Sequence, residues 1–96
     1  MGFQPNDHHD FNRQSILLSA PSASGVYGIY KPGVWIHVGE SHDIQRRLLE
    51  HLTTAGTCIL RNAPTGFTCE LVAGEQERKA RQNQLIGEFN PVCSAR

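Results

Sequence analysis

The sequence predicts an α+β domain, and three patterns support this fold class. Two runs rich in β-branched and aromatic residues lie on either side of Lys31-Pro32-Gly33, which is typical of a β-hairpin. Apolar residues recur twice at helical spacing, and Asn90-Pro91 ends the second of these segments. A third run alternates between apolar and polar residues as a strand does. The predicted elements are strands 25–30, 34–39 and 67–72, a helix beginning near residue 43 and a helix over about 75–89.

Length and charge limit what the chain can do. It has 96 residues, and its nine basic and nine acidic side chains give a formal net charge of zero. One core of this size can fold without disulfides or a structural metal. We predict a partly flexible N-terminal arm over residues 1–20, where little can be buried, and a folded domain over 21–96. The balanced charge argues against non-specific capture of long duplex nucleic acid.

The cysteine content and hydropathy predict a soluble, cytoplasmic protein. Cys58, Cys69 and Cys93 are odd in number and form no Cys-x-x-Cys pair, so we expect buried thiols rather than a disulfide framework or a zinc site. No run approaches the roughly 18 apolar residues that cross a bilayer, and no membrane partner is expected. His8 and His9 could chelate a metal, although a solvated tail is the simpler interpretation.

The hairpin predicts which side chains share a face of the sheet. If Lys31-Pro32-Gly33 is a three-residue loop with a left-handed glycine, stepping back along both strands sets Tyr27 opposite His37. The first face then carries Tyr27, Ile29, Trp35 and His37, and the second carries Val26, Gly28, Tyr30, Val34, Ile36 and Val38. The second face is mostly apolar and suits a core, whereas the first suits a polar site.

The helix after the hairpin carries two polar residues one turn apart. We expect Ser41 or His42 to cap it, with Asp43 in the first turn, where a negative charge favours the helix dipole. The buried stripe is Ile44, Leu48 and Leu52, with Leu49 beside it. Arg47 and His51 lie four residues apart on the neighbouring row, so they project together at the edge of the core.

The last predicted helix has a sparse apolar stripe. Leu85, Ile86 and Phe89 extend back by helical spacing to Gln82, where an apolar residue would be expected. A polar residue on the inward row is either a core amide satisfied by hydrogen bonds or part of a site. Spacing alone leaves both interpretations open.

Taken together, these motifs resemble the signature of the GIY-YIG endonuclease superfamily. The resemblance covers roughly residues 25–94, nearly the whole predicted domain. The residues that carry it are Gly25-Val26-Tyr27, His37-Val38-Gly39, Arg47, His51 and the closing Leu85-Ile86 followed by Pro91. The family's fold is a small three-stranded antiparallel sheet flanked by helices, which agrees with the elements predicted above.

The resemblance implies hydrolysis of a nucleic-acid phosphodiester bond with one divalent cation, Mg²⁺ or Mn²⁺. Tyr27 matches the tyrosine that orients or deprotonates the attacking water, Arg47 the arginine that holds the scissile phosphate, and His51 the histidine that relays a proton. His37 stands where the family has a second tyrosine, so a titratable group is kept there. A guanidinium fork fits phosphate oxygens, and a histidine accepts the proton that a tyrosine does not easily lose alone.

Two further positions depart from the family's pattern. Gln82 stands at the position of the metal-binding glutamate, and Ser94 replaces an asparagine that often follows the terminal proline. Magnesium prefers charged carboxylate oxygens, so an amide is a poorer ligand. Gln82 has three explanations. It is an engineered replacement of glutamate, or it is natural and Glu40 or Glu75 supplies the carboxylate. In the third, the domain binds nucleic acid without cutting it.

Other side chains are candidates for contacts with nucleic acid. Trp35 could stack on a base, or could simply pack. Arg46, Arg78 and Arg81 could contact phosphates, although an exposed basic helix face is the commoner explanation for Arg78, Lys79 and Arg81. The leading hypothesis is a metal-dependent DNA endonuclease that favours single-stranded or distorted DNA. The alternatives are a nucleic-acid-binding module that keeps the phosphate clamp without catalysis, and a protein-interaction domain.

Overall fold

The computed structural model describes residues 2–3 and 7–93, and within these ranges a four-stranded antiparallel sheet has helices on both faces. The strands are β1 (His9–Asp10), β2 (Gly25–Lys31), β3 (Val34–Ser41) and β4 (Gly66–Leu71), in the order β1-β4-β2-β3. The helices are α1 (Arg13–Ser19), α2 (Ile44–Thr53), α3 (Cys58–Arg61) and α4 (Glu75–Phe89). The α+β class is confirmed. The sheet has four strands rather than three because the short β1 pairs with the beginning of β4.

The N-terminal segment takes part in the core. Phe3 is 1% exposed, and Phe11, Ile16 and Ala20 are buried as well. Asn12 caps α1 by accepting a hydrogen bond from the backbone N–H of Ser15. The sequence predicted that packing begins only after residue 20, because so few apolar residues precede it. Leu17 and Leu18 are exposed, but the four residues named above are buried, so the core begins earlier than predicted, and the division into arm and domain stays a prediction.

Two hydrophobic clusters lie on opposite faces of the sheet, because successive side chains of β2 alternate between them. The first cluster packs α1, α2 and α3 on the sheet and includes Ile16, Tyr27, Ile29, Ile36, Ile44, Leu48, Ile59 and Phe67. The second packs α4 and includes Phe3, Val26, Val38, Leu85 and Ile86. Both faces are therefore covered, whereas the sequence predicted one core face and one site face.

The predicted hairpin register is wrong by two positions at Tyr27. The turn is shorter than expected, because Lys31 pairs with Val34 across a two-residue loop in which Gly33 is left-handed (φ +75°). A β-bulge then separates the Tyr30–Trp35 pair from the Ile29–His37 pair. The bulge leaves Ile36 as the extra residue of β3.

The bulge changes which side chains share a face. Ile36 joins the cluster around Tyr27 instead of the α4 face, and Val34 packs against that same cluster. Trp35 joins the α4 face instead of the Tyr27 face. The three predicted placements are therefore wrong, because a one-residue insertion reverses the alternation of side chains beyond it.

The helix boundaries follow local signals. Asp43, rather than Ser41 or His42, caps α2 by accepting a hydrogen bond from the backbone N–H of Arg46. The predicted range of α4 is confirmed, and Asn90 ends this helix in a left-handed conformation (φ 51°). Within the described ranges, no helix combines the length and apolar character that a membrane span requires.

A disulfide contradicts the prediction of free thiols. Cys58, the first residue of α3, is bonded to Cys93, which follows α4. The backbone N–H of Cys93 also donates to the carbonyl of Ile36 at 2.7 Å, so the bond ties α3 to the bulged edge of β3. Cys69 is free and partly buried, as predicted. The cytoplasmic location stays a prediction, and disulfides are uncommon in that compartment.

We expect reduction of this disulfide to destabilise the fold. The bond closes a loop over a sequence separation of 35 residues, and the loop-closure model gives a loss of about 2–4 kcal/mol in the free energy of unfolding. Thermal melts with and without a dithiol reductant measure the effect. A Cys58→Ala/Cys93→Ala variant should melt at the lower temperature and no longer respond to reductant. Equal melting of the oxidised and reduced parent would contradict the prediction.

Candidate active site

A buried hydrogen bond between β2 and α2 forms the centre of the site. Tyr27 is 1% exposed, and its hydroxyl lies 2.7 Å from Nε2 of His51 and 3.4 Å from Nε2 of His37. The His37 and His51 ring centroids are 5.0 Å apart. The three side chains that the sequence pattern grouped are therefore in mutual contact. They meet although the register was wrong, because a shift of two positions keeps a side chain on the same face.

Gly39 makes room for this arrangement. It pairs with Tyr27 across the two strands, and a Cβ at position 39 would lie 2.5 Å from the tyrosine oxygen and 3.0 Å from Nε2 of His37. Any larger residue would push the tyrosine ring away from both histidines. The glycine thus has a packing reason beyond its place in the motif.

Burial keeps the three groups neutral near pH 7. It raises the pKa of Tyr27 to about 12, with the nearby Arg47 charge opposing this effect. It lowers the pKa of His37 to about 4, and the Arg47 charge adds to the shift. The pKa of His51 is lowered to about 4 by burial, assisted by His37 and Arg47. A neutral imidazole therefore faces a protonated phenol, and Nε2 of His51 can accept the hydrogen bond of the Tyr27 hydroxyl.

Arg47 lies at the rim of this buried group. Its side chain is 48% exposed, and Nη1 donates to a carboxylate oxygen of Glu50 at 2.9 Å. This hydrogen bond is the main cause that raises the pKa of the guanidinium. The charge is thus fixed and accessible, as the binding of an anion requires.

Two cavities adjoin Arg47. The larger, about 290 Å³, is open to the imidazoles and to the disulfide; its lining residues are His37, Arg47, Glu50, His51, Thr54, Thr57, Cys58, Ile59 and Cys93. The other, about 250 Å³, lies toward the start of α2 and is lined by Ser41, His42, Asp43, Arg46, Arg47 and Glu50. Arg47 and Glu50 border both cavities, so a ligand over Arg47 would have space on two sides.

The predicted metal ligands are not gathered into a cluster. Gln82 is half-buried on α4, one turn before the buried Leu85 and Ile86, and its amide makes no hydrogen bond within the described ranges. Glu40 is ion-paired with Arg78 at 2.8 Å. Among residues 2–3 and 7–93, no group of three or more His, Cys, Asp or Glu side chains could hold a metal.

The carboxylate of Glu75 is also engaged, because it pairs with Lys79 at 3.1 Å. Ser94 lies outside the described residues. The carboxylates of Glu40 and Glu75 are therefore both engaged in ion pairs, and a cation held near them would have to keep most of its water ligands. They do not form a dedicated cage.

The remaining candidates lie apart from the buried group. Trp35 stacks on Phe89 with ring centroids 4.4 Å apart on the other face of the sheet, away from Tyr27. Arg81 donates to both carboxylate oxygens of Glu70 at 2.8 and 2.9 Å. Arg78 is also paired, so Arg78 and Arg81 do not form the exposed basic face that was predicted for α4, and only Lys79 of these three residues is exposed. Arg46 is 74% exposed and close to Glu50.

The histidines near the N-terminus contact aromatic side chains of the sheet. Nδ1 of His8 lies 2.9 Å from the Tyr30 hydroxyl, and the His9 ring packs against Phe67. Both side chains therefore contact aromatic residues of the sheet instead of remaining in a solvated tail.

Comparison with known proteins identifies this class of fold. Two of the solved structures similar to this chain are point mutants of the GIY-YIG N-terminal endonuclease domain of UvrC from Thermotoga maritima, bound to the catalytic divalent cation. One, a tyrosine-to-phenylalanine mutant, has a TM-score of 0.74 and 28% identity over 88% of this chain and 94% of that domain. The other, an asparagine-to-alanine mutant, has a TM-score of 0.75, again with 28% identity and coverage of 88% and 94%.

The same domain bound to magnesium has a TM-score of 0.74 and 27% identity, covering 86% of this chain and 94% of that one. No protein-family model matches the chain, and no curated protein resembles it significantly. The resemblance predicted from the sequence is nevertheless confirmed by fold, coverage and identity together. The chain therefore has the fold of the GIY-YIG endonuclease domain of UvrC.

Two features of the site were not predicted from the sequence. Glu50 lies three residues after Arg47, and this spacing predicts a surface ion pair on any helix. Cys58 and Cys93 line the larger cavity, but an odd cysteine count concealed their pairing.

We expect the two buried imidazoles to make stability depend on pH. The pKa of each is about 4 in the folded chain and about 6.5 when unfolded, so the unfolded state binds more protons between these values. Stability should be complete above about pH 6.5 and decline as the pH falls toward 4. Melting temperatures measured across this window test the expectation.

Two variants make the pH measurement specific. A His37→Asn/His51→Asn variant should lose most of this dependence. His42→Asn, at an exposed position beside the second cavity, should keep it. A double variant with the parent's pH dependence would show that other groups cause it.

Proposed function

We propose that this chain is a metal-dependent endonuclease that hydrolyses phosphodiester bonds in DNA. One observation carries the proposal: a neutral tyrosine–histidine pair lies directly behind an accessible arginine, on a fold shared with a GIY-YIG endonuclease domain. The pair can move a proton, and the arginine can hold a phosphate. Both functions are needed at one place to cleave a phosphodiester bond.

The proposed roles follow from burial and charge. Arg47 holds the scissile phosphate and opposes the negative charge that develops in the transition state. His51 accepts a proton from the attacking water, directly or through the Tyr27 hydroxyl, which gives its own proton to Nε2 as it takes one. His37 borders the same cavity and keeps the hydroxyl in place. The raised pKa of Tyr27 means that it acts through this transfer rather than as a preformed phenolate.

The cation is proposed from the similar structures. The Thermotoga maritima domain binds magnesium as its catalytic divalent cation, and we propose Mg²⁺ or Mn²⁺ for this chain, with Gln82 as the position of its protein ligand and Glu40 as a weaker alternative. A bound divalent cation would polarise a phosphate oxygen and lower the pKa of a bound water. Because an amide oxygen is neutral, we expect weak binding.

We propose single-stranded or distorted DNA as the preferred substrate. The net charge is zero, so long-range attraction to duplex is weak. The cavities beside Arg47 measure about 290 and 250 Å³, and spaces of this size suit nucleotides that have left a regular helix. Binding therefore depends on local contacts.

A second candidate is a nucleic-acid-binding module that keeps Arg47 without cutting. The pairing of Glu40 with Arg78 favours it, because the carboxylate nearest to the hairpin motif is engaged and the family's glutamate is an amide. The two candidates share the phosphate clamp and differ only in hydrolysis.

The first test is cleavage of labelled oligonucleotides, with Arg47→Ala as the principal variant. We expect Mg²⁺- or Mn²⁺-dependent cutting that EDTA stops, faster on single strands than on duplex. Arg47→Ala should lower kcat/KM by about 100-fold or more, because a charge-assisted phosphate contact is lost in the transition state. Arg47→Lys should recover only part of the activity, since it lacks the guanidinium fork.

A matched control separates this role from a general loss of positive charge. Lys79→Ala removes one cation from an exposed pair on α4 and should leave cleavage unchanged. Arg47 is half-exposed, so its variants should melt like the parent. Full activity of a folded Arg47→Ala variant would remove the clamp, and binding without cleavage in the parent would support the second candidate.

Gln82→Glu tests the metal ligand. The substitution adds a carboxylate at nearly constant volume, so Mg²⁺-dependent cutting should rise by at least tenfold, which corresponds to about 1.4 kcal/mol of transition-state stabilisation. Mg²⁺ should also raise the melting temperature of the variant more than that of the parent, which reports binding without catalysis.

The opposite result has a physical meaning as well. If Gln82 is only a packing residue on the inward row of α4, the new charge is partly buried without a partner. The variant would then melt lower, ignore Mg²⁺ and gain no activity. That result would exclude Gln82 from the site.

A further inference from the structure

Glu50 is hydrogen-bonded to the guanidinium of Arg47, the group that would bind the substrate phosphate. Its Oε1 accepts a hydrogen bond from Nη1 of Arg47 at 2.9 Å, and its Oε2 lies 3.5 Å from Nε of Arg46. These arginines hold the pKa of the Glu50 carboxyl below its ordinary value, with the Arg47 hydrogen bond as the largest cause. At neutral pH a carboxylate is therefore bound where a phosphate oxygen would bind.

The position of the ion pair is as important as its length. Arg47 and Glu50 both border the cavity beside the histidines and the cavity at the start of α2. A strand that placed a phosphate on Arg47 and a nucleotide in each cavity would also contact Glu50. The Glu50 carboxylate therefore borders the space for the substrate and is also bonded to the arginine that would hold its phosphate.

We infer that Glu50 is a specificity-determining residue that competes with the substrate phosphate for Arg47. The inference rests on the proposed function, since it assumes that Arg47 binds phosphate. Phosphate binding displaces the carboxylate, and after cleavage the carboxylate can return and displace the product. This competition lowers the affinity of Arg47 for anions. An anion that makes no other contact with the site is therefore displaced.

The expected size of the effect is moderate. Glu50 and Arg47 are 45% and 48% exposed, and exposed ion pairs contribute little because water and salt screen them. Replacing Glu50 by glutamine removes the competing carboxylate and its repulsion of phosphate. DNA should then bind about three- to tenfold more tightly. The substitution should not speed the chemical step, because it strengthens binding of the substrate and of the transition state equally.

The test is a double-mutant cycle on binding. Dissociation constants for a fluorescein-labelled single-stranded oligonucleotide are measured by anisotropy in EDTA and low salt, so that no cleavage occurs. The four proteins are the parent, Glu50→Gln, Arg47→Ala and the double variant. We expect Glu50→Gln to lower the dissociation constant three- to tenfold, and this gain to vanish in the Arg47→Ala background.

Glu75→Gln is the matched control, because it removes the same charge from an exposed pair with Lys79 at 3.1 Å. It should change the dissociation constant less than twofold. Inorganic phosphate should displace the labelled oligonucleotide from Glu50→Gln at a several-fold lower concentration than from the parent.

The outcomes separate the two proposals. If Arg47→Ala binds DNA as the parent does, the proposed phosphate clamp fails. If Arg47→Ala weakens binding but Glu50→Gln does not strengthen it, the clamp stands and the competition is overturned. An equal gain from Glu75→Gln, or a gain that persists without Arg47, also overturns the competition, because net charge alone would then explain it.

Discussion

The hydrogen bond between the Tyr27 hydroxyl and Nε2 of His51 connects the centre of the sheet to α2 inside the hydrophobic core. Its 2.7 Å length fixes how close the helix lies to β2, and its burial sets the protonation of both partners. Gly39 permits it by leaving the space that the tyrosine ring fills. The site is thus part of the core, and its chemistry depends on the packing that excludes water.

The sequence pattern grouped Tyr27, His37 and His51, which the structure brings into contact, but the predicted hairpin register was wrong. Arg47, His51 and the range of α4 follow from local periodicity, which needs no knowledge of the rest of the fold. The hairpin register depends on a bulge at Ile36, where Val92 and Cys93 donate hydrogen bonds to the carbonyls of Trp35 and Ile36. Those donors come from the other end of the chain, so no hairpin pattern could have revealed them.

The same reason explains the other errors. The burial of Phe3, the pairing of β1 with β4 and the Cys58–Cys93 bond are long-range contacts. Composition described residues 1–20 as polar on average, but a core is built from individual side chains. Gln82 was predicted on the inward row of α4, and it lies there half-buried. Its role was left open because helical spacing predicts where the side chain lies on α4 but not whether it binds a metal.

If the chain binds DNA as proposed, the distribution of charge makes that binding depend on local contacts. Arg78 and Arg81 are largely buried in ion pairs with Glu40 and Glu70, and these pairs fasten α4 to the sheet, so neither cation is available to a distant polyanion. The interior around Tyr27 is neutral, and Arg47 shares its charge with Glu50. An anion therefore gains little before it reaches Arg47 and has to displace a carboxylate there. Discrimination then depends on whether neighbouring groups of the ligand fill the two adjacent cavities, which makes shape more important than charge in this domain.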